Sequence, residues 1–382
     1  MRAEPQQTGF EQALSVRLPS RRDERWKWTD LRAALREPMP ASAPAVTARA
    51  PLLAIDGALE FVFANGHLAS APDSLPDGMQ VTREDGDDRL PKEILAGVAH
   101  EKAEARHVIR ITGTLTQPLH LRFLSEGNGM HHTAIEVILE DGAEASVIES
   151  LEGGEGAWFA NGLLRFTLGT GASLERLIVQ QAGPDAVQIH HATATLAAGA
   201  AFTQATLGFG AKLCRLETQL THQGEGARAV LNGAYLLSGK AHLDNTTDVT
   251  HAVPGAVTEE LYKGVLTGKS RGVFQGRFFV ARDAQQTDAR MAHNALLLSD
   301  EAEVDAKPEL MIYADDVQCA HGNTVGALDE EALFYMRQRG LTEHAARALL
   351  IQAFVAGAFD AVASDDLRAA LTGLIDSWLE AR

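Results

Sequence analysis

The sequence predicts a mainly β protein whose core is a β-helix, a solenoid in which each turn of the chain stacks on the turn before it. From about residue 107 to residue 309, short runs of alternating apolar and polar residues follow one another, with glycine-rich turns and few helical stretches. Within this region a Gly-Ala turn followed by an alternating strand occurs at Gly142, Gly171, Gly199 and Gly226. The intervals between these glycines are 29, 28 and 27 residues.

The near-constant interval favours a solenoid over other folds that are built from short strands. One repeat cannot bury its own apolar face, so successive repeats must stack to form a continuous core. An immunoglobulin-like sandwich also contains short strands, but it has no reason to keep so steady an interval. We therefore predict a stacked β-helix over residues 106–325, with the four glycines in equivalent turns.

The region before the β-helix, residues 1–105, is predicted to be helical or mixed. The stretch "RRDERWKWTDLRAAL", which starts at Arg21, indicates a short helical segment. We expect Trp26 and Trp28 in this segment to pack against the core rather than to bind nucleic acid. A Pro/Ala-rich linker is predicted at residues 37–51, and a helix is expected around "PKEILAGVAHEKAEA".

The region after the β-helix, residues 326–382, is predicted to contain three helices. Asp329, Thr342 and Ser364 each stand where an N-cap residue is expected, and Gly340 is placed to end the first helix. The middle helix is apolar on almost every side. Such a helix must be covered by its neighbours or by another protein.

Composition narrows the possible partners and the location. The 382 residues include 34 Lys and Arg against 51 Asp and Glu, a formal net charge of −17, which repels nucleic acid and anionic membranes. The N-terminus has no apolar core of a signal peptide, and no apolar run is long enough to span a bilayer. Two cysteines cannot form a disulfide framework, so we expect a cytoplasmic protein.

The stretch "YADDVQCAHGNTVG", residues 313–326, carries the most distinctive combination of side chains. If residues 311–321 are extended, one face holds Met311, Tyr313, Asp315, Val317, Cys319 and His321. Cys319 and His321 would then lie about 7 Å apart along the strand, close enough to bind one metal ion or partner. A structural zinc site needs four ligands, and no second Cys/His pair stands nearby. A site that a second chain completes stays open.

No other segment offers a self-contained active site. Cys214 is expected to be a small buried hydrophobic residue. Each of the two histidine pairs would point to opposite faces of a strand, which argues against a shared metal ion; these are His131 with His132 and His190 with His191. The sequence contains neither a Walker A loop nor a G-x-S-x-G nucleophile elbow.

Two stretches resemble the SufD family of the SUF iron–sulfur cluster assembly system. The first, "ERWKWTDLR", resembles the N-terminal signature of that family. The second covers residues 259–340, which include "LYKGVLTGKSRGVFQGRFF", "YADDVQCAHGNTVG" and "LFYMRQRG", and it resembles the family's C-terminal core almost throughout. Similarity over most of the remaining chain is looser. A resemblance of this length is specific, unlike the isolated Cys-x-His.

The resemblance implies a right-handed parallel β-helix with helical ends, which acts as a non-enzymatic scaffold subunit. It implies pairing with the paralogue SufB and docking of the ATPase SufC on the C-terminal helices, where we expect Leu350 and Phe354 within residues 341–362 to contribute. His321 is then implicated in building a transient iron–sulfur cluster or in holding iron at the SufB interface, with Cys319 as its neighbour. The isolated chain is expected to bind neither the iron–sulfur cluster nor iron tightly.

Two other assignments are less favoured. SufB chains look longer and contain more cysteines, whereas this chain has only Cys214 and Cys319. A β-helix enzyme, a polysaccharide lyase or hydrolase, is the alternative in a different class, but no carboxylate pair marks its site. Co-purification with an ATPase would favour cluster assembly, and turnover of an acidic polysaccharide would favour the enzyme. The sequence leaves several points open. They are whether the isolated chain forms a homodimer, the subunit stoichiometry, the ligands that the partner supplies, whether iron or sulfur arrives first, and whether a flavin binds.

Overall fold

Two long β-sheets form the core of the protein. The computed structural model describes residues 7–45, 50–84 and 91–381. Parts of the predicted N-terminal region, including residues 46–49 of the predicted linker, lie outside the described residues. None of the described helices is long and apolar enough to cross a membrane.

The strands alternate between the two sheets as the chain proceeds. The first sheet contains β1 (Leu59–Ala64), β2 (His67–Ser70), β5 (Leu119–Ser125), β7 (Glu144–Gly153), β9 (Ser173–Gln181), β11 (Ala201–Gly208), β13 (Arg228–Leu237), β15 (Val257–Leu266), β17 (Asp288–Leu297) and β19 (Gln318–Gly326). The second sheet contains β3 (Met79–Glu84), β4 (Arg106–Ile111), β6 (Gly129–Leu139), β8 (Trp158–Leu168), β10 (Val187–Leu196), β12 (Leu213–His222), β14 (His242–His251), β16 (Arg271–Val280) and β18 (Glu303–Ile312).

Each turn of the chain contributes one strand to each sheet, and every pairing from β5 to β19 is parallel. Phe202, for example, pairs with Leu174, 28 positions before it, and with Ala229, 27 positions after it. The inward side chains of the two sheets meet in one continuous apolar core. The predicted β-helix is therefore confirmed, and β1, β2 and β3 extend the two sheets at the N-terminal end.

The glycines of the sequence repeat occupy equivalent turns. Their φ angles lie between 64° and 69°, in the left-handed region that favours glycine; they are Gly142, Gly171, Gly199 and Gly226. The amide of Gly142 donates to the carbonyl of Thr170, the residue before Gly171, at 2.8 Å. The amides of Gly171 and Gly199 repeat this bond with the next turn. The turns therefore stack directly on one another.

Helices cover the outer faces of the two sheets. The helices are α1 (Gly9–Leu14), α2 (Leu31–Ala34), α3 (Ile94–Lys102), α4 (Glu330–Gln338), α5 (Glu343–Ala356) and α6 (Asp365–Glu380), with short 3₁₀ turns at Glu24–Trp26 and Gly357–Phe359. Asp329, Thr342 and Ser364 accept N-cap hydrogen bonds from the first turns of the last three helices, as predicted. Gly340 follows α4 with φ of 93°.

The N-terminal segment packs on the second sheet and the C-terminal helices pack on the first. Buried apolar residues of the N-terminal segment, including Phe10 and Trp26, meet Phe159 and Ile189 of the second sheet. Residues of α5 and α6 cover a separate apolar face of the first sheet, formed by Ile148, Leu177, Val179, Leu207, Leu236 and Val265. The central strands of both sheets are therefore buried on two faces, which explains the apolar runs on both sides of these strands.

Ion pairs hold the N-terminal segment across several turns of the solenoid. Arg25 binds Glu93 at 2.8 Å and Glu217 at 2.6 Å, and its carbonyl accepts a bond from Arg215. The Arg215 guanidinium lies 4.3 Å from the ring centre of Trp26. Trp26 is buried, in agreement with the predicted packing role, and Trp28 is half-buried.

The repeated turn predicts a specific stability effect. Gly171→Ala is expected to destabilise the protein by about 1–2 kcal/mol, because an L-residue is strained in the left-handed region. An added Cβ would meet no other atom within 4 Å, so backbone strain alone accounts for the loss. Thermal or urea unfolding of the purified chain measures the effect.

Gly373→Ala is the matched control for this variant. Gly373 lies inside α6 and also has open space around an added Cβ. Alanine is favoured over glycine by about 1 kcal/mol in a helix, so this variant should be as stable as the parent or more stable. If Gly171→Ala matched the control, the equivalent-turn assignment would be wrong.

Candidate functional site

The C-terminal end of the solenoid is open. In the described part of the chain, β19 and β18 are the last strands of the first and second sheets, and each is paired on one side only. Most of β19 is exposed. Exposed apolar side chains lie at the same end, with exposed fractions of 39% for Ile312, 57% for Tyr313 and 49% for Val325. An uncovered parallel edge of this kind is suited to pairing with another chain.

The predicted single face over residues 311–321 is wrong. The strand β18 ends at Ile312, and the chain turns from the second sheet to the first over residues 313–317 before β19 begins. Asp315 and Asp316 lie in this corner, where the amide of Asp316 donates to the side chain of Gln285. Met311 and His321 therefore belong to different sheets, while Cys319 and His321 do share one strand.

Both residues of the Cys-x-His pair point inward at the open end. Cys319 is paired with Ala289, and His321 is paired with Met291. Ala289 and Met291 belong to the interior core, so the residues above them share the inward side of β19. His321 is exposed because no further turn covers it, and no hydrogen bond to it is found within the described residues. Its imidazole is available to a ligand or a partner.

Cys319 is less available than His321. Its side chain is half-buried against Val280, Ala284 and Ala314. Burial raises the pKa of its thiol, and the nearby Asp288 carboxylate raises it further, against a lowering by the backbone of Ala289. The thiol is therefore protonated at neutral pH and is a weak metal ligand until it loses that proton.

The two residues do not by themselves form a full ligand set. Across residues 7–45, 50–84 and 91–381, no group of three or more His, Cys, Asp or Glu side chains is arranged to hold a metal ion. A cluster bound at this end of the solenoid would therefore need ligands from elsewhere.

The residues predicted to dock the ATPase lie where the C-terminal helices meet the first sheet. Leu350 and Phe354 are half-buried and pack against the apolar cluster between α5 and the sheet. The Lys263 ammonium donates to the Phe354 carbonyl at 2.6 Å and lies 5.1 Å from the ring centre. More exposed apolar side chains in this region are Phe334 at 63%, Tyr335 at 59% and Leu349 at 44%.

The interior contains charged groups that the sequence analysis did not single out. Glu149 binds Arg176 through both carboxylate oxygens, at 2.6 and 2.8 Å, and binds His190 at 2.6 Å. Burial raises the pKa of Glu149, but the charge and hydrogen bonds of Arg176 and His190 outweigh it and lower the pKa to about 2. The sequence indicated buried charges of this kind through a charged residue inside an alternating apolar run, as in "SLERLIVQQ".

Glu260 has the opposite environment. Its carboxyl accepts a bond from the Thr247 hydroxyl at 3.0 Å, and its other oxygen has no partner in the described structure. Burial raises the pKa of Glu260 to about 8, with a smaller contribution from Asp248 and against the hydrogen bond from Thr247. The carboxyl therefore holds a proton at neutral pH, two turns below His321 in the same inward column.

The comparisons with known proteins decide the family. The profile described as "SUF system FeS cluster assembly, SufBD core domain" matches residues 122–354. The iron–sulfur cluster assembly protein SufD of Escherichia coli is 31% identical over 381 residues, covering 95% of this chain and 89% of that protein. The chain belongs to the SufBD family. Family membership makes it a component of SUF iron–sulfur cluster assembly and gives no support to a polysaccharide lyase or hydrolase.

More distant SufBD relatives cover most of the chain as well. A SufBD family protein of Synechocystis is 28% identical, with 91% of this chain and 84% of that protein covered. The chloroplastic protein ABCI7 of Arabidopsis thaliana is 26% identical, with 90% and 79% covered. The similarity therefore includes the regions on both sides of the solenoid core.

The buried carboxyl of Glu260 predicts how stability changes with pH. The pKa of Glu260 is about 8 in the folded chain and ordinarily 4.5. The contribution of this carboxyl to the free energy of unfolding is therefore complete below pH 4.5 and declines as the pH rises towards 8. Glu260→Gln removes this titration. Its stability relative to the parent should rise between pH 5 and pH 8, by up to about 1.4 kcal/mol for each pH unit. Urea unfolding at both pH values measures the change.

Glu149→Gln serves as the control of opposite sign. The depressed pKa of Glu149 means that its ion pairs stabilise the fold above pH 4.5 and are lost as the pH falls towards 2. This variant should lose about 3–5 kcal/mol near neutral pH, since it leaves Arg176 buried without its carboxylate. Stability differences from the parent that stay constant from pH 5 to pH 8 for Glu260→Gln would contradict the protonated state.

Proposed function

We propose that this chain is the SufD-type scaffold subunit of a SUF complex, in which it pairs with SufB and docks the ATPase SufC. Its His321 would contribute to building the nascent iron–sulfur cluster at the SufB interface. The observation that carries this proposal is the uncovered last turn of the solenoid. There His321 is exposed, has no hydrogen bond within the described residues, and lies on a strand that is paired on one side only.

The open edge supports pairing with a second β-helix. The unpaired backbone groups of β18 and β19 can hydrogen-bond to strands of another chain, which extends both sheets across the interface. A paralogue with the same fold presents the same spacing between its two sheets, so both edges can be matched together. Ile312, Tyr313 and Val325 would then be covered. The same geometry allows a homodimer when SufB is absent.

The two inward residues differ in their suitability as ligands. A neutral imidazole is a good ligand for iron, because one ring nitrogen has a free lone pair. A cysteine thiol must lose its proton before it binds iron. Cys319 is half-buried and its thiol pKa is raised, so it is poorly prepared to bind iron. A lone exposed thiolate is also readily oxidised. We therefore assign the ligand role to His321, and we expect SufB to supply thiolates.

The role proposed here is that of a scaffold and not of an enzyme. The cluster is cargo that is passed on, so the isolated chain is expected to retain neither iron nor sulfide tightly. We place the complex in the cytoplasm, where thiols and sulfide stay reduced. The net charge of −17 makes nucleic acid an unsuitable partner.

His321→Ala is expected to lower cluster formation sharply, because it removes an exposed ligand and almost no buried area. Cys319→Ser should be tolerated or mildly impaired. The measurement is the iron and acid-labile sulfide content of complexes with SufB and SufC, purified anaerobically, together with their subunit composition.

His67→Ala is the matched control for the histidine variant. His67 lies on β2, at the opposite edge of the same sheet, so the substitution has the same chemistry far from the open end. It should leave cluster content unchanged. Normal clusters on His321→Ala complexes would overturn the site assignment, and failure of that variant to assemble would show that His321 is structural.

The C-terminal helices support the docking of SufC. Exposed apolar side chains on α4 and α5 provide a surface, while Leu350 and Phe354 lie partly beneath it against the first sheet. Deletion of all residues from Leu341 onward would be a poor test, because it would expose the apolar outer face of the first sheet. Single substitutions separate docking from packing.

Phe334→Ala and Leu349→Ala are each expected to weaken SufC binding about tenfold with little change in Tm, because Phe334 is largely exposed and Leu349 is nearly half exposed. Phe354→Ala should lower Tm as well as binding, since it removes packing and the Lys263 contact. Calorimetric titration with SufC and thermal unfolding measure the two effects. Undiminished binding by all three variants would rule out this surface.

A further inference from the structure

A chain of hydrogen bonds runs from the core of the solenoid to its open end. The Tyr235 hydroxyl lies 2.8 Å from Nε2 of His293, and Nδ1 of His293 lies 2.7 Å from Oδ1 of Asn323. Tyr235 and His293 are both buried, whereas Asn323 is exposed on the last strand. Asn323 follows His321 by two positions and shares its inward side of β19. The chain of bonds therefore ends about 7 Å from the proposed ligand.

Glycines make room for this connection. Gly264 lies on β15, between the strands of Tyr235 and His293, and a Cβ there would lie 2.2 Å from the Tyr235 ring. Gly272 on the second sheet would clash with the same ring at 2.5 Å. Tyr235 can therefore extend along the solenoid axis past one turn and reach His293 in the next.

The orientation of the His293 ring is fixed by its neighbours. The Phe274 ring stacks on it with 5.0 Å between ring centres and an angle of 4°. The Tyr235 ring lies nearly parallel to it, at 6.0 Å and 10°. A ring that stacks on Phe274 and is hydrogen-bonded at both nitrogens cannot turn freely, so both nitrogens keep their directions.

The hydrogen-bond partners also fix where the protons lie. Burial lowers the pKa of His293, against a raising by the bond to Asn323, so the imidazole carries one proton at neutral pH. A carbonyl oxygen can only accept, so Nδ1 donates to Asn323 and Nε2 accepts from the Tyr235 hydroxyl. The Asn323 amide is thereby held by its oxygen, and its NH₂ group is left as a donor at the open end.

We propose that the Asn323 NH₂ group donates a hydrogen bond to an anionic sulfur of the cluster assembled at His321. This inference rests on the proposed function of His321. Hydrogen bonds to the sulfurs of an iron–sulfur cluster influence its reduction potential, and they stabilise the negative charge that the sulfurs carry. Asn323 contacts the cargo, while His293 and Tyr235 are positioning residues that act through it.

The test uses the complex with SufB and SufC, loaded anaerobically with a cluster. Asn323→Ala should lower the reduction potential, because a donor that favours the more negative reduced state is lost. It should also lower cluster retention by about tenfold, as is usual when a group that supports a metal site is removed. Resonance Raman spectra in H₂O and D₂O should show a deuterium-sensitive Fe–S mode in the parent that this variant lacks.

The Raman spectra also identify the sulfur. A shift in the bridging Fe–S modes, which respond to ³⁴S-sulfide, would assign the bond to a cluster sulfide. A shift in the terminal Fe–S modes, which do not respond to that label, would assign it to a thiolate ligand. Either outcome supports a hydrogen bond to anionic sulfur.

Tyr235→Phe tests the positioning role without touching the open end. It keeps the ring in the space beside Gly264 but removes the donor to Nε2 of His293. Hydrogen bonds in a chain strengthen one another, so the bond from Nδ1 to Asn323 is weakened and the amide is held less firmly. The variant should lower the reduction potential less than Asn323→Ala does, with unchanged subunit composition.

Asn294→Ala is the matched control for the asparagine variant. Asn294 lies on β17 and accepts a bond from Thr324 at 2.6 Å on the outward side. The Asn294→Ala variant should leave the potential and the Raman spectrum unchanged.

An unchanged potential and an unchanged deuterium shift in Asn323→Ala complexes would overturn the inference. If His321→Ala still abolished clusters, the proposed function would stand, whereas clusters retained on His321→Ala would remove the proposed function itself.

Discussion

The backbone groups of each solenoid strand are hydrogen-bonded by the turns before and after it, and this requirement shapes the whole molecule. Inside the stack the requirement is met at every strand from β5 to β17. At the N-terminal end it is met by antiparallel pairing of β1 with β2 and of β3 with β4. At the C-terminal end no strand in the described chain pairs with the outer edges of β18 and β19. The open end that exposes His321 is therefore a direct consequence of how a solenoid is built, and a partner with the same fold is a natural way to cover it.

The interior accommodates charge where the geometry allows full pairing. Arg176 is buried, and Glu149 and Gln204 take up its donors at 2.6–2.8 Å. Glu260 lacks such a partner and keeps its proton instead. Towards the open end the polar groups form a chain of hydrogen bonds with a fixed order of donors and acceptors, as His293 does. The solenoid therefore combines an apolar core with polar groups that reach the last turn.

The sequence predicted features that depend on local chemistry. The turn at Gly171 and the N-cap at Thr342 could be identified because each needs a particular residue at one position. The corner at residues 313–317 was missed because an extended segment was predicted throughout, although the adjacent Asp315 and Asp316 interrupt any alternation there. The pair of Glu149 and Arg176 depends on the offset between two strands, which the glycine interval fixes only to within a residue or two. The family resemblance identified the Cys-x-His segment. Its exposure could not be predicted from local patterns, because exposure depends on which strand is the last of the stack.

The most direct test of the proposed half-site is the detection of a bond between iron and this chain's histidine. The chain would be labelled with ¹⁵N-histidine, combined with unlabelled SufB and SufC, loaded with a cluster anaerobically and reduced. Pulsed EPR then detects ¹⁵N nuclei that are bound directly to the paramagnetic cluster. The account predicts one strong ¹⁵N coupling, although the chain contains 14 histidines, and the clusters that remain on His321→Ala complexes should lack it. A reduced cluster in the complex without any strong ¹⁵N coupling would contradict it.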